Sequence, residues 1–99
     1  MEYRKLERLV INWADERGIL DKGTTMAQAE KTHEEVLELI SAIDEDNREE
    51  IIDAIGDIVV TLIIQAEMQG LRLEQCLDSA YNVITKRKGK MVEGKFIKE

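Results

Sequence analysis

The residues of this chain best suited to chemistry are acids in places where acids are costly. Glu34-Glu35-x-x-Glu38 and Asp53-x-x-x-Asp57 each lie inside an apolar stretch patterned as a core helix. A buried charge is expensive unless something pairs it, and a divalent cation is the simplest partner for several carboxylates at once. Between Ile51 and Ala66 the only side chains that are not plainly apolar are Asp53, Gly56, Asp57, Thr61 and Gln65. Of these, Asp53, Asp57, Thr61 and Gln65 recur at i+4 and form one polar stripe along a greasy helix. Hard oxygen ligands of this kind suit Mg²⁺, with Mn²⁺ as the alternative ion, better than zinc.

The elements that must position these acids are helices. Proline is absent and Ala, Leu, Ile, Glu and Lys are frequent, a helix-favouring composition. The periodicity predicts a first helix over Glu2–Arg17 with Leu6, Leu9, Val10 and Trp13 on one face, stopped at Gly18. Ile19–Gly23 reads as a loop, and Thr24 or Thr25 as the cap of a second helix running to Ile43. After the polar turn Asp44–Asn47, a third helix capped by Asn47 runs to Gln69, and a fourth covers Leu73–Lys88. Lys90-Met91-Val92 and Lys95-Phe96-Ile97 flank Glu93-Gly94 as two short strands of a hairpin. The expected fold is all-α: one domain over residues 1–99, a four-helix bundle ending in a β-hairpin. The third helix is apolar on nearly every side, so it should be buried all round, and self-association would complete the bundle as a dimer or tetramer.

On the second helix Val36, Ile40 and Ile43 mark the centre of the apolar face. Glu35 and Glu38 flank it with Lys31, and Glu34 lies on the more remote polar side. Asp53 and Asp57 lie one turn apart on the next helix, with Glu50 a further turn earlier. Two helices at ordinary spacing can converge Glu35, Glu38, Asp53 and Asp57 on one or two ions. Glu-Glu-x-x-Glu alone is common on solvated faces; a pair of aspartates inside an apolar helix is harder to dismiss, although a satisfied core pair or an interface contact would also explain it. Gly56 in mid-helix marks close approach of a ligand or another helix. Lys31 suits either a phosphate or an i, i+4 salt bridge to Glu35. Trp13 suits either stacking on a base or ordinary core packing. His33 and Cys76 read as structural or inert.

At these residues the chain resembles the MazG-type nucleoside triphosphate pyrophosphohydrolases of the all-α NTP pyrophosphatase superfamily, whose pattern is Glu-Glu-x-x-Glu on one helix and Glu-x-x-Asp on the next. Glu34, Glu35 and Glu38 match the first part, and Asp57 within Ile55-Gly56-Asp57-Ile58-Val59 matches the aspartate of the second. Ala54 stands where the family has its glutamate, and Asp53 one residue earlier is the nearest replacement carboxylate. The run from Ala80-Tyr81-Asn82 to Lys86-Arg87-Lys88-Gly89-Lys90-Met91 resembles the small phage and bacterial members. The resemblance implies Mg²⁺-dependent cleavage of a nucleoside triphosphate between its α- and β-phosphates. It also implies metal ligands among Glu35, Glu38, Asp53 and Asp57, Glu34 as a further ligand or base, and substrate contacts from Asn82 and Arg87.

Composition bounds the partners. Against 14 basic residues stand 21 acidic ones, a net charge of −7, which argues against sequence-independent DNA or RNA binding. A metal-bound nucleotide remains compatible, since the ion inverts the local sign. A single cysteine suits a reducing cytoplasm. No apolar run is long enough to span a membrane. Two other classes compete with the enzyme: a non-catalytic helical protein binding metal, nucleotide or a partner, favoured by the Ala54 departure, and a purely structural helical dimer.

Overall fold

The computed structural model describes residues 1–99. Its elements are α1 (Tyr3–Glu16), α2 (Ile19–Lys22), α3 (Thr25–Asp44), α4 (Arg48–Met68), α5 (Leu73–Ile84), β1 (Gly89–Val92) and β2 (Lys95–Lys98). The fold is all-α with a terminal two-stranded antiparallel sheet. No helix is long and apolar enough to cross a membrane.

Local chemistry sets the boundaries. Thr24 Oγ1 accepts from the Ala27 amide at 3.1 Å and caps α3, and Asn47 Oδ1 accepts from the Glu50 amide at 3.2 Å and caps α4. Two boundaries differ from the periodicity. The expected loop after Gly18 closes a single helical turn, α2, with Lys22 donating its amide to the Gly18 carbonyl and Gly23 to that of Ile19. The last helix ends at Ile84 rather than Lys88. There Lys86 and Arg87 donate to Val83 and Ile84 in tighter i→i−3 turns, and the Thr85 hydroxyl bonds back to the Asn82 carbonyl at 3.1 Å. The hairpin forms as expected, pairing Met91 with Phe96 and Val92 with Lys95 across a turn whose residues, Glu93 and Gly94, both have positive φ, 48° and 81°.

The frame of the molecule is the antiparallel pair α3–α4. Gln65 Nε2 donates to the Thr25 carbonyl (2.9 Å) and Gln28 Nε2 to the Thr61 carbonyl (3.1 Å). The Thr32 hydroxyl donates to Thr61 Oγ1 (2.9 Å), which itself donates to the Ile58 carbonyl (2.7 Å). As numbers rise along α3 their partners fall along α4. The residues of α3 that become buried are Gln28, Glu35 and Ala42, one per two turns; Thr61 of α4 is bonded to Gln28, and Ala54 of α4 is buried as well. The seam is therefore small and polar, a close approach stitched by satisfied hydrogen bonds.

The strongly apolar stripes point the other way. Leu37, Ile40 and Ile43 of α3 are exposed, as are Ile52, Ile55, Val59 and Leu62 of α4, which recur at the 3-4-3 spacing of a helix–helix seam. Within one chain α4 is thus not buried all round, contrary to its composition: Ile52 stays 63 % exposed. Gly56 faces open space, with nothing within 4 Å of where a Cβ would stand, so no element of the chain approaches it.

The first helix is tied in by an acid the periodicity does not single out. Glu7 is buried at 4 % exposure. It accepts the Tyr3 hydroxyl at 2.6 Å and the Glu74 amide in the first turn of α5 at 3.2 Å. No side chain of α5's own N-terminus caps it, so α1 supplies the carboxylate that this turn and its dipole favour. Arg4 pairs with Glu74 alongside at 2.8 Å. Burial first, and then the bond and charge of Glu7, push the Tyr3 phenol well above its usual range. Glu7→Ala leaves the hydroxyl and the amide without their acceptor. It should lower the free energy of urea unfolding by about 1–3 kcal/mol; a change under about 0.5 kcal/mol would show that this contact does not hold α1 to α5.

Candidate active site

Along the α3–α4 pair, Glu35, Glu38 and Asp57 come together. Each offers a carboxylate oxygen, and these oxygens all lie within 4.8 Å of one another. Helix geometry explains the meeting: Glu35 and Glu38 are i, i+3 neighbours on α3, and Asp57 is one turn from Thr61, which the seam pins against Gln28 and Thr32. The lower half of the polar stripe, Thr61 and Gln65, is spent on hydrogen bonds between the helices. Its upper half, Asp53 and Asp57, is not.

Glu35 is the anomaly. It is 7 % exposed, and its Oε2 is buried with no hydrogen-bond donor. Its Oε1 faces Lys31 Nζ at 3.4 Å, and the same ammonium lies 3.4 Å from Glu34. Lys31 is itself raised by its bonds to Glu35 and Glu34. A buried carboxylate oxygen without a donor is a costly arrangement. Hard oxygen donors converging from two helices fit a hard divalent cation.

The electrostatics carry the same strain. Glu38 is raised above the ordinary carboxylate value, chiefly by its hydrogen bond to Glu35 and then by that neighbour's charge. Asp57 is raised by burial first, then by the charges of Asp53 and Glu35. The hydrogen bond from Glu38 exists only while Glu38 carries its proton; when both acids are ionised neither can donate to the other.

The other expected residues fall into place around this triad. Asp53 stands just outside it and lines, with Glu38, Ser41, Glu45, Glu50 and Ala54, an acidic recess of about 400 Å³. Ala54 is 4 % exposed, a packing position of the seam. Glu34 lies on the exposed side, as its place on the helix suggests. Trp13, 44 % exposed, is not core: it borders an apolar recess of about 370 Å³ with Leu6, Leu9, Val10, Val60 and Asp57. The Arg17 guanidinium covers its ring at 5.7 Å. A smaller recess of about 240 Å³ joins Trp13 to Lys31, Glu35 and Asp57. Asn82 and Arg87 are not brought to these carboxylates; they line a separate recess with Lys86 and Lys98. His33 is exposed and Cys76 half-buried as a free thiol. Sequence reasoning passed over Gln28 and Thr32, whose spacing from Glu35 by whole turns was the available signal.

The profile of the phosphoribosyl-ATP pyrophosphohydrolase family matches residues 4–82. The chain belongs to that family. The match runs from α1 into the last turn of α5 and includes Glu34, Glu35, Glu38, Asp53 and Asp57. This family lies in the same all-α superfamily as the MazG-like enzymes, and its members are pyrophosphohydrolases acting on a nucleotide. No curated protein and no solved structure matches the chain significantly.

The raised acids fix a pH response. A group whose folded pKa lies above its unfolded one stabilises the fold at low pH and loses that contribution as pH rises through the folded value. Without metal the protein should therefore gain stability from Glu38 and Asp57 as pH falls from neutral toward about 4 to 5, the ordinary carboxylate range. A divalent cation held by these carboxylates would compete with those protons, so any rise in Tm on adding Mg²⁺ should be largest at neutral pH and shrink over the same window. A metal-induced shift independent of pH would remove these two acids from the ligand set.

Proposed function

We propose that this protein is a MazG-like nucleoside triphosphate pyrophosphohydrolase dependent on Mg²⁺, with Mn²⁺ as a substitute. It would cleave a nucleotide between its α- and β-phosphates to a monophosphate and pyrophosphate. The observation that carries the reading is the buried, donorless Oε2 of Glu35 beside Glu38 and Asp57. These three side chains would hold the ion, and Asp53 would extend the ligand set on the side of the acidic recess. When bound there, Mg²⁺ supplies charge neutralisation for the phosphates and lowers the pKa of a coordinated water. Lys31 orients Glu35 and faces the recess where a phosphate would lie. Glu34, tethered to the same ammonium, would serve as an outer ligand or base. Trp13 offers its face to the nucleobase beside Asp57. Asn82 and Arg87 are the remaining substrate contacts in this reading.

All 99 residues act here as one domain. The outward stripes Leu37–Ile43 and Ile52–Leu62 support a bundle completed by self-association, and the acidic surface and lone cysteine support a cytoplasmic protein that binds neither nucleic acid nor membrane. A second reading is a helical protein that binds metal or nucleotide without turnover. What favours it is Ala54, a buried alanine where the resemblance expects a glutamate.

Pyrophosphate release from a panel of standard and modified dNTPs, NTPs and phosphoribosyl-ATP, with Mg²⁺, separates the two. Turnover of at least one member is expected, with Asp57→Asn and Glu35→Gln each lowering kcat/KM by about 10²- to 10³-fold, the several kcal/mol that a lost metal contact represents. Binding without turnover across the panel would establish the second reading. Full activity in both variants would sink the site.

A further inference from the structure

Residues 83–99 lie beyond the span that the family profile matches. They hold six cations against two acids, a local charge of +4, whereas residues 1–82 hold eight against nineteen, −11. The acids are concentrated on the α3–α4 pair, where residues 32–66 contain ten acids and a single cation, Arg48. The C-terminal cations are concentrated too: Lys86, Arg87, Lys88 and Lys98 line, with Asn82, a recess of about 710 Å³ where α5 meets the hairpin. No residue of that recess lines any of the recesses around the carboxylates.

Two features of the single chain stay unexplained without a second body. The hairpin has nothing to rest on: every residue of β1 and β2 is exposed, and its substantial packing is strand on strand. An isolated two-stranded hairpin is marginal in water. By register, Met91 and Phe96 share one face, while Lys90, Val92, Lys95 and Ile97 share the other, so the arm is both apolar and cationic. The carboxylate cleft has the opposite deficit. A polyphosphate brings further negative charge to walls whose one cation, Lys31, is already engaged by Glu34 and Glu35. A surface combining open apolar stripes with clustered acids would match the arm, and the α3–α4 pair of another copy presents both.

We infer that the C-terminal arm, from the end of α5 through the hairpin, docks in trans on the acidic α3–α4 face of a second copy and carries Arg87 and Lys86 to the phosphates held at that copy's carboxylates. The catalytic half of this inference rests on the pyrophosphohydrolase reading; the docking half does not. Apolar contact from the hairpin supplies the burial that its strands lack, and complementary charge sets where it lands.

Full-length Asp57→Asn and Arg87→Ala chains, differently tagged and co-expressed, test the first half. In a mixed dimer the cleft of the Arg87→Ala chain would receive the intact arm of the Asp57→Asn chain. With half the dimers mixed and one of their two sites intact, activity should return to about a quarter of wild type. Activity no higher than that of the two variants separately would place the arm in its own chain's site and overturn the trans assignment. If wild type turns over no substrate, the functional reading fails and the docking is judged by sedimentation equilibrium. Lys95→Glu/Lys98→Glu should weaken self-association at least about tenfold, and adding Glu45→Lys/Glu50→Lys should restore it. Self-association unchanged by the reversal, or lost and not restored by the exchange, would overturn the docking.

Discussion

The polar seam between α3 and α4 is the constraint on which the rest of the molecule depends. Thr61 stands at its centre, its hydroxyl shared with Thr32 and the Ile58 carbonyl and its own carbonyl held by Gln28. Because these groups are buried, each hydrogen bond is expensive to lose, and together they fix the rotation of both helices about their axes. That rotation turns Glu35 inward and brings Asp57 opposite it. It also turns the strongest apolar stripes outward. One set of hydrogen bonds thus produces the carboxylate triad and the exposed surface that self-association would cover.

Function and stability pull against each other at this seam. Apolar residues at positions 28, 35, 57 and 61 would make a better core, and the protein instead carries a donorless carboxylate oxygen and two acids with raised pKa values. Such a cost is sustained where the surroundings hold the groups in place, and here Lys31 on one side and the threonine–glutamine network on the other do so. The buried Glu7 differs, since its oxygen is satisfied by Tyr3 and by the amide of Glu74. Two buried glutamates in one small chain therefore have opposite roles. Glu7, whose Oε2 has two donors, is structural; Glu35, whose buried Oε2 has none, lies in the candidate site.

Much of this was legible along the chain. The helices, their Thr24 and Asn47 caps, the Glu93-Gly94 hairpin turn and the pairing of Glu35 with Glu38 follow from periodicity, capping chemistry and i, i+3 and i, i+4 spacing, because each depends on residues close in sequence. The same locality makes the acidic motif recognisable as that of a pyrophosphohydrolase family. Glu34 is separable from Glu35 by the wheel alone.

Which face of each helix turns inward was decided only by packing. Val36, Ile40 and Ile43 centre the apolar face of α3, yet Ile40 and Ile43 are left exposed while Gln28, Glu35 and Ala42 are buried. An apolar moment says that a face seeks cover, not whether its own chain or another body provides it. For α3 and α4 the hydrogen bonds across the seam are intramolecular, and the apolar faces are left to whatever lies outside the chain. Glu7 was equally invisible, because its partner is the amide of Glu74, 67 residues away, and a long-range bond to backbone leaves no trace in side-chain spacing. Asp53 shows the same limit: one turn from Asp57 along α4, it falls outside the triad and on the wall of the neighbouring recess, since only the path of α3 decides which carboxylates meet.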